Sequence, residues 1–77
     1  MMKLFVKDRK ELRDIEELIG HSVKIPTVFL TERRAYGWFL LEYPATPALI
    51  DEERGIIICG NEAVEVLRKI VKEEGDR

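Results

Sequence analysis

Scarcity defines this chain of 77 residues before any motif does. It has one cysteine (Cys59), one histidine (His21), one asparagine (Asn61) and no glutamine. A single cysteine excludes an internal disulfide and a cysteine-based zinc site, and it fits a reducing cytoplasm. A lone histidine without ligating partners at metal spacing offers no metal centre, so His21 reads as a loop residue. The longest apolar runs are four to five residues, far short of a membrane span. The N-terminal MMKLFVKDRK has no long apolar segment and no small-residue cleavage site, so no signal peptide is expected. No block of five like charges occurs. No Lys/Arg stripe is interleaved with aromatics, so neither nucleic acid nor a membrane is an expected partner. Arg33 and Arg34 read as a small solvated basic face.

What is present describes one globular domain spanning residues 1–77. Hydrophobic residues make up 45% of the chain, charged residues 36%, and the net charge is −2. A chain this short buries only about 60% of its unfolded surface, which leaves no room for a large cleft. Scarce amides among abundant Glu, Lys and Arg resemble the composition of hyperthermophile proteins. Such a source implies a melting temperature above about 60 °C.

Local patterns give an element order. Met2–Val6 is an apolar run suited to a first strand. Asp8 and Glu11 form a D-x-x-E capping pattern, in which each carboxylate can accept from an orphan N–H at a helix start. Leu12, Ile15, Leu18 and Ile19 follow with helical spacing, and Gly20 suits a left-handed helix end. The first helix is expected over Arg9–Ile19. Ser22–Leu30 is β-branched and aromatic, a second strand; Pro26 inside it requires an edge position or a bulge. Arg33–Tyr43 fits either a helix, with Tyr36, Phe39, Leu40 and Tyr43 on one face, or the second arm of a hairpin over Lys24–Glu42. The helix is favoured because Pro44 ends it, although Gly37 costs its interior roughly 1 kcal/mol. Ala48–Ile50 and Gly55–Cys59 are short strands joined by the polar link Asp51–Gly55. Ile56–Ile58 is apolar at successive positions, which predicts a strand covered on both faces. Asn61 is the expected cap of a last helix whose stripe is Val64, Leu67, Ile70 and Val71, with Glu65 and Lys69 as an i, i+4 pair and a frayed tail after Glu74.

Strand, helix, strand, helix, strand, strand, helix, with Thr46-Pro47 directly before the third strand and Gly60 before the last helix, resembles the thioredoxin fold in its minimal, glutaredoxin-like form. The resemblance implies an α/β domain, β-α-β-α-β-β-α, with a four-stranded mixed sheet flanked by helices. It implies a cis-proline at Pro47 and an edge position for the second strand, where Pro26 is tolerated. Oxidoreductases of that family carry C-x-x-C between the first strand and the first helix, where the helix end stabilises a thiolate. This chain has Lys7-Asp8-Arg9-Lys10-Glu11-Leu12 there, so dithiol chemistry is not expected.

The same resemblance names candidate contacts. The backbone of Thr46, before Pro47, corresponds to the position that pairs with a bound peptide or glutathione in the family; the alternative is a retained structural turn. Gly60-Asn61-Glu62 partly matches the stretch that holds the γ-glutamyl end of glutathione, but capping explains it more simply and glutathione is a disfavoured ligand. Cys59, near the end of an apolar strand, reads as a small buried hydrophobe. A positive, exposed setting would instead make it a lone redox thiol. Asp8 and Glu11 read as a cap before they read as an acid and base. If Arg33–Tyr43 is helical, Arg34, Trp38 and Leu41 line up off the core-facing stripe, either as an interface or, equally, as residues that so small a core uses. The leading expectation is a redox-inactive, thioredoxin-like module acting through protein contact or self-association, without cofactor or metal. The alternative is a divergent glutaredoxin-like thiol-disulfide oxidoreductase using Cys59 alone.

Overall fold

The computed structural model describes residues 1–75, so the expected fraying after Glu74 falls, beyond Gly75, outside the described residues. The elements are β1 (Met2–Val6), α1 (Arg9–Ile19), β2 (Thr27–Phe29), α2 (Tyr36–Glu42), β3 (Ala48–Asp51), β4 (Ile56–Cys59) and α3 (Asn61–Gly75). They form a mixed α/β domain with one four-stranded sheet in the order β2-β1-β3-β4. β1 runs parallel to β2 and antiparallel to β3, and β3 runs antiparallel to β4.

Alternation along the strands divides the core in two. Leu4, Val6 and Leu49 point to one face, where Ile15 of α1 and Ala63 and Leu67 of α3 bury them. Ala48, Ile50 and half-buried Phe5 point to the other, where Leu30 and Phe39 meet them, with Tyr36 and Tyr43 alongside. The rings of Phe5 and Phe39 stack at 5.5 Å, and those of Phe39 and Tyr43 lie 4.6 Å apart. β3 is the central antiparallel strand, and all four of its residues are buried.

Several expectations are corrected. β2 is three residues, not nine. Pro26 stands just outside it, and its carbonyl accepts from Leu4 N at 2.8 Å. Residues 22–25 leave the sheet, and Val23 N–H donates to Glu16 Oε2 at 2.8 Å. β4 is an edge, so Ile57 is 55% exposed and the strand is not covered on both faces. Leu18 is exposed because it lies roughly 60° from Ile15, on the opposite side from Leu12 and Ile19. Glu65 pairs with Arg68 at 3.4 Å, rather than with Lys69. The segment 33–43 is helical only from Tyr36. Ala35 N–H donates to Leu30 O at 2.9 Å, closing a turn in which Arg34 takes a left-handed conformation (φ 54°). No described helix is long and apolar enough to cross a membrane.

Candidate functional site

The first four N–H groups of any helix lack intrahelical partners and carry the positive end of its dipole. At α1 two carboxylates meet this need. Asp8 is extended, and its Oδ1 accepts from Glu11 N at 2.9 Å. Glu11 Oε1 accepts from Lys7 N at 2.8 Å, one residue further back than the usual capping box. Glu11 Oε2 accepts from Thr46 Oγ1 at 3.2 Å. One carboxylate therefore ties the start of α1 to the turn before β3, and both of its oxygens are engaged.

Thr46, Pro47 and Gly60 come together at this end of the sheet. The Thr46–Pro47 peptide bond is cis. Pro47 is buried and Thr46 half-buried. Gly60 N–H donates to Pro47 O at 2.7 Å, extending the β3–β4 ladder by one pair. Gly60 then turns into α3 with φ 66°, a value that disfavours any side chain. Its carbonyl accepts from Ala63 N at 3.0 Å and Val64 N at 3.3 Å, so Gly60 caps α3. Asn61 is the first helical residue, not the cap. Asn61 and Glu62 are exposed beside this turn. Among the described residues, neither the N–H nor the C=O of Thr46 joins a backbone hydrogen bond. This leaves a donor and an acceptor at the mouth of the turn.

Cys59 is half-buried and opposite Ala48, packed with the Phe39 and Tyr43 cluster on the α2 face. Its immediate surroundings are apolar, and it packs there as a small hydrophobe. His21 is exposed, and among the described residues no group of three His, Cys, Asp or Glu is placed to hold a metal ion.

A second candidate surface lies on α2. Trp38 is 75% and Leu41 78% exposed, because Phe39 and Tyr43 occupy the side facing the sheet. Trp38 and Leu41 border a shallow groove of about 380 Å³, completed by Leu30, Ala35, Phe39 and Tyr43, with Glu42 at its rim. Arg34 does not share their line, since it lies in the turn ahead of the helix.

Two features escaped the sequence reading. The Glu11–Thr46 bond joins positions 35 apart and leaves no local signal. The exposure of Ile57 depends on β4 being an edge, which composition does not reveal. No protein-family model matches the chain, and no curated protein or solved structure matches it either.

Proposed function

We propose that this chain is a redox-inactive, thioredoxin-like module of the minimal glutaredoxin-like form, acting in the cytoplasm by holding a segment of a protein partner. The element order and the strand order β2-β1-β3-β4 support the fold reading. The observation that carries the functional reading is Glu11. In thioredoxin-like oxidoreductases the reactive cysteine stands at the start of the first helix. Here that ground holds a carboxylate with both oxygens hydrogen-bonded, to Lys7 N and Thr46 Oγ1. A carboxylate so placed stabilises the helix end and exchanges no disulfide.

What remains suits binding. The free backbone N–H and C=O of Thr46 match the pairing needs of an extended chain. The groove beside Trp38 and Leu41 suits an apolar side chain. Panning the immobilised protein with a phage-displayed random peptide library tests this. Recovered peptides are expected to share an apolar anchor and to bind Trp38→Ala or Leu41→Asp protein at least about tenfold more weakly, a loss of about 1.4 kcal/mol. No enriched peptide, or enrichment indifferent to both substitutions, overturns the reading. So does Cys59-dependent turnover of a mixed glutathione disulfide, absent from a Cys59→Ser control, which would establish the oxidoreductase alternative.

A further inference from the structure

The groove beside Trp38 and Leu41 carries opposite charge at its two ends. Leu30 and Ala35 line one end. The same two residues close the turn ahead of α2, where Ala35 N–H donates to Leu30 O at 2.9 Å. Arg33 and Arg34 are carried between them, off the line of Trp38 and Leu41 but at that end of the groove. Both are exposed. The turn fixes their backbone, since Arg33 N–H donates to Leu30 O and Arg34 N–H to Thr31 O, each at 3.2 Å. Glu42 stands at the rim where α2 finishes, about 10 Å further along the helix.

The acid nearest in sequence does not cancel the two arginines. Glu32 is drawn to α1, where Arg9 Nε donates to its Oε1 at 2.9 Å and Arg9 Nη2 to its Oε2 at 3.3 Å. Among the described residues, Arg33, Arg34 and Glu42 form no ion pair. The backbone gives a second sign. Arg34 is the one non-glycine residue among those described with a positive φ, 54°. Glycine would take that conformation at less cost. An arginine stands there instead, and strained residues of this kind collect at sites that hold a ligand.

We propose that the segment held in the Trp38 groove is an acidic peptide, with an apolar anchor in the groove and carboxylates on one side of it that meet Arg33 and Arg34. This chemistry rests on the groove holding a protein segment at all, the reading given above. A guanidinium grips a carboxylate with two parallel N–H···O bonds, and Arg and Trp are enriched together at binding hot spots. Glu42 makes the preference one-sided, because acidic residues on the far side of the anchor meet a like charge. The same residue disfavours nucleic acid, whose backbone carries charge at every unit and would run past Glu42. A peptide that is acidic on one side only satisfies both ends of the groove.

Two pannings of one phage-displayed random peptide library test this, the first on the whole chain and the second on Arg33→Glu with Arg34→Glu protein. Trp38-dependent peptides from the first are expected to carry Asp or Glu on one constant side of the anchor. Those from the second should carry Lys or Arg there, a reversal that lost folding cannot imitate. A synthetic copy of the first consensus should bind Arg33→Ala with Arg34→Gly protein at least about tenfold more weakly. Replacing its acids by amides should weaken binding to the unsubstituted chain by a similar factor. Raising NaCl from about 0.05 to about 0.5 M should weaken binding to the unsubstituted chain and leave binding to the Ala/Gly variant nearly constant. That variant should melt no lower than the unsubstituted chain, since glycine suits the left-handed position. Trp38-dependent peptides without a one-sided acidic preference overturn the acidic chemistry and leave the groove reading standing. No enriched peptide overturns both. A mixed-sequence single-stranded oligonucleotide that displaces the consensus peptide at lower concentration than the unlabelled peptide itself makes nucleic acid the occupant and overturns the proposal as well.

Discussion

The two faces of the sheet are built to different standards. One is covered by α1 and α3, of 11 and 15 residues, and hides Leu4, Val6 and Leu49 completely. The other is covered by α2 alone, a helix of 7 residues. Trp38 and Leu41, the two most exposed large apolar side chains among the described residues, belong to the α2 side, as does half-exposed Ile57, while Leu18 of α1 is exposed on the other side. A single short helix cannot cover a four-stranded sheet, so apolar surface is left over there. The two-helix face holds most of the fully buried core, and the α2 face leaves more of its apolar surface uncovered.

The comparison can be broken most directly at its centre. Leu49→Ala removes a fully buried side chain between α1 and α3, where both helices are fixed by further contacts and cannot collapse into the space. It should cost about 3–4 kcal/mol in urea unfolding, with a melting shift of roughly 4–8 °C for each kcal/mol. Phe39→Ala deletes the largest contact between α2 and the sheet. Because a short helix can settle inward, about 3 kcal/mol is expected, the low end of the range for phenylalanine. A loss larger than that of Leu49→Ala would reverse the assignment of the two faces. Leu41→Ser sharpens the contrast at its small end. It should change stability by less than about 0.5 kcal/mol, and a loss above 1.5 kcal/mol on the same scale would mean that Leu41 is part of the core.

Much of this architecture is written locally. The bounds of α1 follow from Asp8, Glu11 and Gly20, each of which acts on its own helix end. The strands β1 and β3 follow from short apolar runs between polar ones. What sequence could not supply depends on distant partners. Ile56–Cys59 would suit a central strand as well as an edge, and only the strand order decides between them. The start of α2 is displaced to Tyr36 by a turn that Leu30 O closes with Ala35 N, at 2.9 Å. Capping of α3 passes from Asn61 to Gly60 because Gly60 is already held by Pro47. The candidate site was legible in part. Thr46, Pro47 and Gly60 do converge, whereas Arg34 falls away from Trp38 and Leu41, and the Glu11 bridge was invisible.

That bridge has a consequence for how the molecule assembles. Glu11 belongs to the β1-α1-β2 half of the chain and Thr46 to the β3-β4-α3 half. Their side chains meet at 3.2 Å only when the halves have docked, whereas the bonds from Asp8 to Glu11 and from Glu11 to Lys7 need the first half alone. The same carboxylate thus has one oxygen that reports a local event and one that reports a global one. The seam between the halves is thus closed by a group that its own helix end also holds.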